Sequence, residues 1–242
     1  MNWKKSAALV LMAAAIPAAA AASDLGDAAK SVLPPMFSFR ELAGTKTLSF
    51  MGQTIPYEAA QLTADMRRDD MFLSGYLFYG WVPKKDQGLI DPYFKYNATI
   101  SEFAGMAALN TAFFSEESPL HKAIEASVSS WADSMVGGSG AHLVVTLSEM
   151  EPFRRSDGMN CILYTAGSQV TLSSDGLIMP LYGKGYLYKD GEGYRFVLLM
   201  TGDDSKRPLT YALDDMVKAA AEQAAKRDLR TFVEHLKSSN KG

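Results

Sequence analysis

The chain has a single cysteine, Cys161, in 242 residues. One thiol leaves no internal disulfide. It also excludes a thiolate zinc site, which takes two to four cysteines. In "GMNCILYTAG" Cys161 shares one side of an extended segment with Met159 and Leu163, where cysteine packs as a small hydrophobe. Histidine is scarce too. His121, His142 and His235 stand far apart, with no H-x-x-x-H spacing, so no metal and no cofactor is expected. No apolar run reaches the ~20 residues of a membrane-spanning helix. No repeat of solenoid period occurs.

Catalytic signatures are missing as well. "VGGSGA" places Gly137, Ser139 and Ala141 in a G-x-S-x-G frame whose last glycine is absent. It leaves a predicted helix instead of entering one, opposite to a nucleophile elbow. "YGKGYLYKDGEG" puts Tyr188 where G-x-G-x-x-G needs its third glycine, and a hairpin follows in place of a phosphate-binding helix. The acidic pairs Asp69-Asp70, Glu116-Glu117, Asp203-Asp204 and Asp214-Asp215 lack the alternating ligands of a calcium loop.

What is present begins with the first residues. Lys4 and Lys5 precede the apolar run "SAALVLMAAAIPAAAAAS", and Ala20 and Ala22 fit an A-x-A cleavage site. Residues 1–22 therefore read as a signal peptide cut before Ser23. No cysteine lies near the cut to carry a lipid. The expectation is an exported protein, periplasmic or extracellular, soluble once the leader is gone. Losing Lys4 and Lys5 reduces the 24 basic residues to 22 against 27 acidic, so the net charge moves from −3 to −5. That balance argues against nucleic-acid binding, which rests on neutralising phosphates.

Residues 23–35, small and alanine-rich and ending in "LPP", read as a linker or short helix. A single domain over 36–242 follows, of ordinary size. "TKTLSFMGQTIPYEAAQL" reads as two strands around Gly52. "MFLSGYLFYGWV" is the most apolar stretch of the domain, and "YFKYNATISEF" alternates like a strand. From Ser118 to Met135 an amphipathic helix is expected. Ser118 sits at the N-cap and Pro119 at the first helical position, and Leu120, Ile124, Val128, Trp131 and Met135 share one face. Further antiparallel strands are read in "AHLVVTLSEMEPF", "MNCILYTAGSQVTL" and "LIMPLYGKGYLYKDGEGYRFVLLMTG". A terminal helix over about Leu209–Leu236 carries the stripe Leu213, Met216, Val217, Ala220 and Ala224. The order implies an α+β fold: an antiparallel sheet with an amphipathic helix and a C-terminal helix packed on one face.

The helix at Ser118–Met135 between two sheet halves, and the strand Tyr194–Met200 running into "LTYALDDMVKAAAEQ", resemble the architecture of PsbP-like domains. The resemblance spans Met36 to the terminal helix. It implies that α+β fold, assigns no catalytic residues, and points toward binding or assembly roles.

Phe72, Tyr76, Phe78, Tyr79 and Trp81 form the densest aromatic run, and Tyr186, Tyr188 and Tyr194 a second. Neighbouring strand residues face opposite ways, so one set leaves the core side, and an uncovered apolar set marks a binding surface. The expectation is a non-catalytic exported protein that binds a small apolar ligand or an envelope protein partner. Two alternatives stand beside it. One is a hydrolase gathering Ser139, His142 or Cys161. The other is an envelope assembly factor that docks a partner through the terminal helix.

Overall fold

Strands rich in alternating apolar residues pair through short turns into one antiparallel sheet. The computed structural model describes residues 22–50, 53–66, 71–95, 97–136, 142–148, 154–155, 162–165 and 167–239. Helix α1 (Ala22–Val32) precedes strands β1 (Phe37–Phe50), β2 (Gln53–Met66) and β3 (Met71–Trp81). Helices α2 (Gln87–Phe94), α3 (Ile100–Phe114) and α4 (Pro119–Val136) come next. Strands β4 (Val144–Ser148), β5 (Arg154–Arg155), β6 (Ile162–Tyr164), β7 (Ser168–Ser174), β8 (Leu177–Asp190) and β9 (Gly193–Gly202) complete the sheet. A 3-10 turn at Asp203–Ser205 leads into α5 (Lys206–Ser239). The nine strands run β1-β2-β3-β9-β8-β6-β5, with β7 on β8 and β4 on β7.

The α+β expectation holds, with one correction: the helices cover both faces. Central strands β3 and β9 are paired on both edges and carry large apolar side chains on both sides. Leu73, Leu77, Tyr79, Val197 and Leu199 pack with α1 and α5, while Phe78 and Phe196 pack with α2 and α4. A sheet apolar on both faces needs two covering layers. The expected stripe of α5 is buried throughout: Leu213, Met216, Val217, Ala220 and Ala224 are each at most 1% exposed.

Two further segments differ from their sequence reading. Within the segment 93–103, Tyr93 and Phe94 end α2 and Ile100 to Phe103 begin α3, in place of the expected strand. Thr99 begins α3 with a capping box: its side chain accepts the Glu102 N–H, and Glu102 accepts the Thr99 N–H at 2.7 Å. That pair satisfies two helix-end donors at once. The Thr99 N–H, with Lys95 beside it, holds the Glu102 carboxyl down at about 2. The stretch read as linker or short helix is α1, and Leu25, Ala28 and Ala29 are buried in the core it shares with α5.

An ion ring ties α1 to the sheet. Asp24 accepts from Arg195 at 3.2 Å and from Arg227 at 2.6 Å. Asp190 accepts from the same two guanidiniums at 2.6 and 3.0 Å. Hydrogen bonding to Asp24 helps raise the Arg227 pKa. Arg195 also lies over the Trp81 ring, 4.0 Å from its centroid.

Glu58 stands on the same sheet face, and its buried Oε2 has no hydrogen-bond partner among the described residues. Burial, then the charge of Glu41, raises its pKa above 4.5, partly offset by Arg195. A carboxyl with a raised folded-state pKa penalises the fold when ionised. The penalty is complete above the folded pKa and disappears as pH falls through it toward 4.5. Glu58→Gln is therefore expected to raise the thermal midpoint at pH 7–8, and the gain should shrink toward pH 4.5. Melting curves of both proteins across that range check the sign.

Candidate functional site

The helix α4 is pinned to the sheet by a ladder of polar side chains along one side. His121, Glu125, Ser129 and Asp133 follow one another every four residues, about 6 Å per step. The exposed edge of β4 offers an N–H every second residue, about 6.8 Å apart, so the two repeats match. Glu125 accepts from Leu147 N at 2.8 Å, Ser129 accepts from Val145 N at 2.7 Å, and Asp133 accepts from Leu143 N. His121 Nε2 donates to the Leu147 carbonyl at 3.2 Å. The ladder covers a free sheet edge that would otherwise invite pairing with another chain. The Leu143 N–H is the main reason the Asp133 carboxyl lies below its ordinary range.

Held this way, α4 does not close fully on the sheet. Ile55 and Tyr57 of β2, Phe78 of β3, Phe196, Leu198 and Met200 of β9, and Val128 and Trp131 of α4 surround an apolar cavity of ≈ 60 Å³. It is partly open at the surface. Alternation places the sheet residues: Tyr57, Phe78 and Leu198 stand on the α4 face, with their neighbours on the other. Phe78 meets Tyr57 and Trp131 edge-on, at 5.8 and 4.9 Å between centroids, the geometry that ring quadrupoles favour. Gly80 lets Phe196 lie close against β3, since a Cβ there would stand 3.1 Å from the ring.

The two polar atoms at the wall satisfy each other. Trp131 Nε1 donates to the Tyr57 hydroxyl at 2.7 Å. A resident water needs two to four polar partners, and this wall presents almost none, so the cavity favours hydrocarbon over water.

The residues singled out from sequence scatter around this site. Phe78 lines it. Tyr76, 44% exposed, is the next residue of β3 on the same face, and Phe72, 69% exposed, lies further along. Tyr79, Tyr186 and Tyr188 are buried in the core on the opposite face. Burial pushes the Tyr79, Tyr186 and Tyr188 hydroxyls up, with Asp214 adding to the effect at Tyr186. Trp81 carries Arg195. Tyr194 stacks on Phe94 at 4.8 Å and donates to Asp91. Val128 and Trp131 are legible as one stripe of a helix, but the stripe alone does not say that a gap remains beneath it.

Of the residues of the hydrolase alternative, His142 alone is among the described residues. His142 is exposed, with Nδ1 3.5 Å from Asp133, while Ser139 and Cys161 lie outside the described residues. The leader lies outside them too, apart from Ala22. Among the described residues no cluster of acidic, histidine or cysteine side chains could hold a metal. No helix among them is long and apolar enough to cross a membrane.

No protein-family model matches the chain, and no curated protein matches its sequence. Among solved structures it is similar to cyanobacterial PsbP from Synechocystis sp. PCC 6803. That match has a TM-score of 0.36 and 10% identity, and covers 78% of this chain and 82% of that one.

Proposed function

We propose that this is an exported, non-catalytic binding protein whose pocket beneath α4 receives the hydrocarbon part of a small apolar ligand. The observation that carries the reading is the ≈ 60 Å³ apolar cavity whose polar wall atoms are already paired. It is well short of the ~150 Å³ cavity that takes up benzene. The end of a linear chain suits it better than a ring. Export rests on the basic and apolar start of the chain.

Trp131 in the wall supplies a reporter, with Trp81 the domain's other tryptophan. Titrating the domain with linear alcohols should shift tryptophan emission to the blue and saturate. Each buried methylene is worth ~0.8 kcal/mol, so removing one from the chain should weaken binding about fourfold. Val128→Phe fills the cavity and should abolish the shift without lowering the thermal midpoint. A wild-type emission unmoved by any chain length would refute the pocket reading.

A second reading is favoured by the distal end of α5. Leu229, Phe232 and Val233 are 64%, 60% and 38% exposed and share one side of the helix. That exposure supports an assembly role in which this end docks an envelope protein.

A further inference from the structure

We infer that the ligand of this pocket is an anionic amphiphile, a single-chain carboxylate whose head group is held by Arg40. The inference rests on the pocket reading above and adds the chemistry of the other end of the molecule.

Sheet register carries it. Arg40 of β1 pairs with Gln61 of β2, Gln61 with Tyr76 of β3, and Tyr76 with Met200 of β9. Directly paired residues project to the same face. The whole row therefore stands on the α4 face, and Met200 at its end lines the cavity. Strands lie about 4.8 Å apart, so three steps separate Arg40 from Met200 by ~14 Å, measured between backbones. The row is a path from a cation to an apolar hole, with half-exposed Tyr76 between them.

The cation is unclaimed. Arg40 is exposed and donates to Gln61 Oε1 at 2.7 Å, and Gln61 passes the contact on to the Ser74 hydroxyl at 3.2 Å. No carboxylate pairs with it among the described residues. Gln61 and Ser74 orient the guanidinium without neutralising it. Asp65 is on the same face four residues further along β2, ~13 Å away. A planar guanidinium matches a carboxylate with two parallel hydrogen bonds. Tyr76 gives the intervening methylenes an apolar surface to lie on. This accounts for an exposed aromatic that the core does not use.

The test compares three probes with the same twelve-carbon chain: dodecanoate, dodecanol and dodecyltrimethylammonium. Tryptophan emission is read at pH 8 and below micelle-forming concentrations. Dodecanoate should bind about tenfold tighter than dodecanol, and the ammonium probe more weakly than either. Arg40→Gln should bring dodecanoate down to the affinity of dodecanol and leave dodecanol itself unchanged. Raising salt from 20 to 500 mM should erode the dodecanoate advantage alone, since exposed charges are screened. Equal binding of the three probes, or an advantage that survives Arg40→Gln, overturns the head-group assignment and leaves the pocket reading standing. If none of the probes moves the emission, the pocket reading fails and takes this inference with it.

Discussion

Arg195→Met is expected to lower the unfolding free energy by about 3–5 kcal/mol, the cost of removing one partner from a buried ion pair. Arg195 and both its carboxylate partners are nearly buried, with side chains 6%, 10% and 9% exposed for Arg195, Asp24 and Asp190. Removing it leaves those two carboxylates sharing Arg227, which is 47% exposed and so partly screened by solvent. The loss has a second part, because Arg195 also stacks on Trp81, and a desolvated cation over an indole is worth up to ~2 kcal/mol. Arg195→Lys separates the two contributions. It keeps a charge but loses the fork that reaches Asp24 and Asp190 together, so a smaller loss of ~1–2 kcal/mol is expected. Urea unfolding followed by circular dichroism measures both variants without relying on Trp81. A loss below 1 kcal/mol in Arg195→Met would mean that the ring contributes little beyond what methionine packing replaces.

The same ring shows why part of the fold escapes a reading of the sequence. Asp24 and Arg195 are 171 positions apart, and nothing local to the small, alanine-rich start announces that a sheet arginine will hold it. The terminal helix and α4 are legible because their signals are local: Ser118 and Pro119 at one start, and an apolar stripe every three or four residues in both. The hairpin β8–β9 is legible for the same reason, with Asp190 and Gly191 at its turn. Gly191 has a φ of 59°, which glycine adopts at no cost. Helix α3 was readable in "TISE", the capping-box spacing, yet alternation in the preceding aromatics suggests a strand. The site is legible only in Phe78. A cavity arises where two elements fail to close, here α4 and the sheet beneath it, and no local pattern in either element records that. Arg40 is one arginine on an edge strand, and only the register across β1, β2, β3 and β9 connects it to the site.

Cutting the chain within α5 should give two sharply different proteins, depending on the position of the cut. Ending it after Ala212 removes Leu213, Met216, Val217, Ala220, Ala221 and Ala224, each 3% exposed or less. The larger of these contribute ~1.5–3 kcal/mol apiece when fully buried, and a domain has only ~5–15 kcal/mol in all. That truncation is expected to abolish folding, so it cannot test whether the helix docks a partner. Ending the chain after Asp228 keeps everything the body uses. Arg227 stays in the ring, and Asp228 still accepts the Gly191 N–H at 3.1 Å. Residues 229–235 beyond it are exposed throughout, so stability should change by less than ~1 kcal/mol. The shortened protein should bind twelve-carbon probes as the full chain does, because the pocket lies on the opposite face of the sheet from α5. If the docking role is real, the same cut should abolish recovery of an envelope partner by cross-linking in the native host while the melting midpoint holds. A truncation after Asp228 that unfolds the domain would show that Leu229, Phe232 and Val233 contribute to its stability, and the exposed stripe would then need no partner to explain it.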